Sequence, residues 1–153
     1  MSLVFVPLTP LLLRDWASGA SMPASLPAYT DTPALRSAFD ITDEEDAERV
    51  ALLAASVAGL AAYGLRLVAV AEAAPVPRPN ADPDFGEVNV AVGSYGTVSA
   101  LFVDEAGVAD AAAAAASGLP LAEAWEDPAV IGLLSDADLL WHGPGEWEAL
   151  ISG

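Results

Sequence analysis

Residues 3–6, Leu3-Val4-Phe5-Val6, are apolar at every successive position. Both faces of an extended chain would then need cover, which predicts a strand buried on two sides. Pro7 limits that strand, because a proline offers no N–H to a ladder. Thr9-Pro10 and Thr32-Pro33 each place an N-capping hydroxyl before a proline suited to the first helical position. The first predicts a short helix through Trp16 and Ala17, stopped by Gly19; the second predicts a turn or two carrying Leu35, Arg36 and Phe39. Residues 18–31 between them carry no periodic pattern and predict a loop.

From 42 to 64 the period changes to 3.6. Thr42 and Glu45 form a capping-box pattern, Val50, Leu53, Val57 and Leu60 recur at helical spacing, and Gly64 closes a long helix. Residues 65–72 return to unbroken apolar character, apart from Arg66, and predict a second two-sided strand. Four prolines with Asn80, Asp82 and Asp84 then predict a surface loop over residues 73–86. Residues 87–92 alternate, with Val88, Val90 and Val92 on one face, as a strand half open to solvent would. Residues 98–103 predict the next strand, and the short turn between the two, with Gly93 and Gly96, suggests that they pair antiparallel.

Beyond it, Asp104 or Glu105 is the expected cap of a helix built on the alanine run 111–116 and ended by Gly118. Asp127-Pro128 opens another short helix with Val130, Ile131, Leu133 and Leu134. Residues 138–142 predict a last strand, broken by Gly143-Pro144-Gly145 and followed by a final helical turn. The order of elements implies a mixed α+β chain: one domain over residues 1–153 with a four- to five-stranded mixed sheet and packed helices. A ferredoxin-like βαββαβ core fits if one strand is an addition.

Composition narrows the partners. Among 153 residues there are 22 Asp and Glu against 5 basic residues, a formal net charge of −17. All five cations are arginines, Arg14, Arg36, Arg49, Arg66 and Arg78, without a cluster. A nucleic-acid partner would need a cationic stripe, and an anionic membrane surface the same, so neither is expected. Basic protein patches, cations and water suit such a surface. With no cysteine, disulfides, thiolate metal ligands and thiol nucleophiles are absent. The apolar N-terminus lacks a basic region before it, and no apolar run approaches a membrane span, so the expected location is the cytoplasm.

Candidate chemistry gathers at one place. His142, the single histidine, falls where the last strand meets the Gly-Pro-Gly turn, with Asp138 expected two pleats back on the same face and Glu146 and Glu148 just beyond. A histidine beside carboxylates can act as general base or metal ligand, so Asp138, His142 and Glu146 are the candidate catalytic residues. No second histidine, cysteine or nucleophile elbow completes a known constellation. No cofactor is expected and no metal ligands are assigned. Trp141 and Trp147 flank the turn and are the candidate binding residues, since exposed tryptophans anchor interfaces. Three further features carry a structural explanation before a functional one: the acidic start Asp43 to Asp46 as a helix-dipole match, Gly93 and Gly96 as turn residues, and Pro75-Val76-Pro77-Arg78-Pro79 as loop.

Val4-Phe5-Val6-Pro7, Thr32-Pro33-Ala34-Leu35-Arg36, the acidic segment 43–48 and Asp138-Leu139-Leu140-Trp141-His142, in this order and spacing, resemble a small actinobacterial family of unknown function over most of the chain. That family tends to carry a tyrosine where this chain has His142, which argues against a catalytic histidine. The resemblance implies a bacterial cytoplasmic protein and brings no activity, cofactor or partner. The reading that follows is a non-enzymatic protein-binding or regulatory module, acting through a tryptophan-bearing patch or the proline-rich loop. The alternative is a small enzyme or divalent-metal protein using the Asp138, His142 and Glu146 region, and a homodimer consuming the patch lies between them.

Overall fold

In the computed structural model, which describes residues 1–151, the two segments that are apolar on both faces become the middle of a sheet. β1 (Ser2–Pro7) pairs with β3 (Leu67–Ala73) along its whole length, from Ser2 opposite Ala73 to Pro7 opposite Val68. Outward from β1 lie β2 (Leu26–Tyr29), then β5 (Glu87–Val90), then β4 (Val76–Pro77) at one edge. Outward from β3 lie β6 (Val98–Val103) and β7 (Leu140–His142) at the other edge.

Alternate residues feed two cores. Phe5, Val68, Val70 and Ala100 point into one, against α3 (Glu44–Tyr63), α4 (Asp110–Ala116), α5 (Leu121–Glu126) and α6 (Pro128–Asp136), with Leu35 of α2 (Pro33–Ala38) at its side. Val4, Val6, Leu67, Ala69 and Leu101 point into the other, beneath α1 (Pro10–Ala17) and α7 (Trp147–Ile151). Helices on both faces explain why the central strands show no polar side. A fully buried Val or Leu contributes roughly 1.5–3 kcal/mol, so these two layers supply most of the drive to fold.

The two Thr-Pro starts are as expected: Thr9 Oγ1 accepts from the Leu12 N–H and Thr32 Oγ1 from the Leu35 N–H, each at 3.1 Å. The long helix begins one residue later than its capping-box pattern implies, because Asp43, not Thr42, accepts from the Asp46 N–H (3.3 Å). Its sheet-facing seam is Ala47, Ala51, Ala54 and Ala55 with Val57 and Leu60, while Val50 and Leu53 are only half-buried at its flanks. Methyl side chains let the helix lie close to the strands. At Gly59 a Cβ would stand 3.1 Å from the Leu65 carbonyl and 3.3 Å from Pro7 Cβ.

Several expectations need correction. The sheet has seven strands, not four to five, and it is antiparallel at every pairing, not mixed. A ferredoxin-like arrangement is not confirmed, since β1 and β2, which flank α1, are direct neighbours here and are not separated by a third strand as in a split βαβ unit. β5 and β6 do not form a hairpin, because β2, β1 and β3 lie between them. The intervening chain instead crosses the α1 face, where Trp16 Nε1–H donates to the Gly93 carbonyl (2.8 Å) and the Trp16 and Tyr95 rings meet edge to face. Residues 18–31 contain β2, whose Pro27 is tolerated because β2 meets β1 only at Tyr29 opposite Phe5. The proline-rich segment 73–86 does form a ladder, short as it is, with Val76 opposite Asn89 and Pro77 opposite Val88. Glu87 ties that segment down by accepting from the Asp82 N–H (2.8 Å) and facing Arg78 (3.7 Å). Phe85 fills the core beside Phe39 and Trp125, and Gly86 turns the chain at φ 70°, where a Cβ would stand 2.2 Å from the Thr30 carbonyl.

On the far side of β6, neither Asp104 nor Glu105 caps a helix. α4 starts at Asp110 after Ala109, because Asp104 is held by Arg66. α5 was not signalled by the sequence pattern; Pro120 starts it and Leu121 and Ala124 bury it. Ser152 and Gly153, within the expected domain span, lie outside the described residues.

Candidate functional site

The His142 turn is held together by its own side chains. His142 Nδ1 lies 3.3 Å from Glu146 Oε1, and Glu146 Oε2 accepts from the Gly143 N–H at 2.6 Å. The Gly143 N–H, and then His142, hold the Glu146 carboxyl below its ordinary range. Tyr95 O–H donates to the Pro144 carbonyl (2.6 Å), which fastens the turn to the α1 face, and burial pushes the Tyr95 phenol up. Both oxygens of Glu146 are thus engaged in closing a turn.

Asp138 does not join them. It precedes β7, which begins only at Leu140, and it stands exposed at the rim of a different hollow. The expected placement of Asp138 on the same strand face as His142 therefore fails. Among the described residues no group of three or more His, Asp or Glu side chains could hold a metal ion. Trp147 is half-buried against the α1-side core, whereas Trp141 is 62% exposed at the sheet edge.

The hollow at Asp138 is an open groove of about 640 Å³ between α4 and α6. One wall is Val108, Ala111 and Ala112; the other is Ala129, Gly132, Leu133 and Asp136, which recur at helical spacing on one face of α6. Leu140 closes its end, and Glu105, Asp136 and Asp138 give it an acidic margin. Val108 and Leu140 are large apolar residues left 41% and 42% exposed, and Trp141 follows directly on β7. None of the three marginal carboxylates makes an ion pair among the described residues.

A buried arginine ties together the two chain segments that flank this groove. Arg66, the arginine in an otherwise apolar strand sequence, is fully buried and makes a bidentate pair with Asp104 through Nε (2.8 Å) and Nη2. Nη2 also donates to the Ala137 carbonyl (3.2 Å), and Nη1 has no hydrogen-bond partner. One guanidinium therefore ties the chain leading to Glu105 to the chain leading to Asp138, the two sides of the groove.

The sequence-level signals for this site are slight. Asp138 stands out in the sequence, but for the His142 turn, and Gly132 inside a helix implies no groove until α4 and α6 are placed side by side.

The model of a family described as "Family of unknown function (DUF6912)" matches residues 2–151. The chain belongs to this family. Its membership agrees with the resemblance seen in the sequence and covers both the His142 turn and the groove. No curated protein and no solved structure matches the chain. No helix among the described residues is long and apolar enough to cross a membrane.

Proposed function

We propose that the protein is a non-enzymatic binding module of the cytoplasm whose working surface is the α4–α6 groove with Leu140 at its end. The observation that carries this reading is the coincidence of three things in one place: an open apolar groove, large exposed apolar side chains, and carboxylates without partners. Exposed apolar surface costs solubility unless something covers it, and an apolar floor with a polar rim is the anatomy of an interface. The proline-rich segment, by contrast, supplies only a two-residue edge strand, and its Pro77 has no N–H to donate to a partner strand.

The test places a photoreactive residue at Val108 in the groove and, separately, at Leu11 on α1 across the sheet, and irradiates living cells. A discrete protein adduct from position 108 alone, lost when Gly132→Leu fills the groove, is the expected result. Equal adducts from both positions, or none from 108, would show that the groove is not the working surface.

A further inference from the structure

Gly132 occupies the interior of α6, where glycine costs roughly 0.5–1 kcal/mol relative to alanine. The fold does not require it. A Cβ at this position would meet no atom within 4 Å, and its backbone has ordinary helical geometry. The space above Gly132 is the groove itself, so an absent side chain here admits the close approach of something outside the chain.

The shape and charge of the groove limit what that is. Its α6 wall runs from Ala129 to Asp136, about 10 Å at 1.5 Å per residue, which matches two helical turns. Helices pack by laying side-chain ridges into such grooves, and small residues at the contact bring the axes close. Extension of the sheet is the poorer mode, since β7 offers only Leu140–His142 for pairing. The margin is Glu105, Asp136 and Asp138, and four of the five arginines, Arg14, Arg36, Arg66 and Arg78, already face carboxylates of their own chain. Arg49 lies in a neighbouring hollow that Asp138 also lines. A second copy carries the same formal net charge of −17 over its whole chain, so like-charge repulsion disfavours self-association.

Resting on the groove as the working surface, we infer that its occupant is an amphipathic helix of a partner protein, with its apolar face on Val108, Gly132 and Leu140 and lysine or arginine flanking that face toward Glu105, Asp136 and Asp138. This is helix-in-groove recognition with the charge selectivity supplied by the rim.

Three synthetic peptides of equal length separate the possibilities when titrated into the isotopically labelled full chain and followed by amide shifts. Two are helical with the same leucine face, one flanked by lysine and one by glutamate; the third alternates valine and lysine to favour a strand. The lysine helix should shift Val108, Gly132, Asp138 and Leu140, should weaken as salt rises, and should lose about tenfold or more in affinity in Gly132→Leu. A dispersed amide spectrum of that variant is the control for its folding. Equal binding of the glutamate helix in the groove would overturn the basic partner while leaving the groove as the working surface. Preference for the alternating peptide, with shifts along β7, would overturn the helix. Lysine-helix shifts confined to the acidic start of α3 and unaltered by Gly132→Leu would reduce the effect to general charge attraction and overturn the proposal. No shift in the groove with any peptide would overturn both the occupant and the groove reading.

Discussion

The His142 turn and the α4–α6 groove sit at opposite ends of a scale. The turn holds the residue types that do chemistry, a histidine and carboxylates, yet Glu146 is engaged by Gly143 and His142 and the turn is tied down through Tyr95. The groove holds alanines, a glycine and a few aliphatic side chains, but its space is empty of the protein's own atoms and its carboxylates face solvent without partners. What makes a site is capacity left over after the fold has satisfied itself, and residue type alone is a poor guide to that.

The largest expected effect comes from the buried ion pair that ties the two flanks of the groove together. Asp104→Ala strands the fully buried Arg66 charge and should cost about 3–5 kcal/mol in denaturant unfolding, because removing one partner of a buried pair leaves the other uncompensated. The double change Arg66→Met with Asp104→Leu should recover most of that loss. A single variant that loses less than about 1 kcal/mol would mean that Arg66 is hydrated and does not hold the flanks of the groove together.

A smaller effect of opposite sign is expected at Gly132. Gly132→Ala should raise stability by roughly 0.5–1 kcal/mol, since the added methyl gains helix propensity and meets nothing. A loss on thermal melting would show that the space is needed by the fold itself.

The smallest effect belongs to the turn and is readable in its pH dependence. Glu146 has a folded-state pKa below its unfolded value, so it binds fewer protons folded than unfolded. Its contribution is complete above the ordinary carboxylate range and is lost as pH falls through the lowered value. Melting curves of Glu146→Gln and of the natural chain should therefore differ slightly at neutral pH and converge in acid. Convergence toward alkaline pH would contradict the assignment.

Much of the framework was legible because it depends on local rules. Thr9 and Thr32 announced their helices through caps, and the apolar runs of β1 and β3 announced a doubly covered centre. Pairing was not legible, since nothing local told Glu87–Val90 to join Leu26–Tyr29 in place of the strand that follows it. The Trp16 to Gly93 bond that accompanies this arrangement spans the sequence from α1 to the turn after β5. The candidate site was obscured for the same reason. Asp138 is near His142 in sequence but serves the groove, and Arg66 and Asp104 meet only because β3 and β6 are neighbours.

The contrast between the two regions is tested most directly by titrating the lysine-flanked helical peptide, in one calorimetric series, into Gly132→Leu and into His142→Ala. The account predicts that the first loses binding and the second retains the affinity of the natural chain. Retention by Gly132→Leu with loss in His142→Ala would contradict it and return the working surface to the turn.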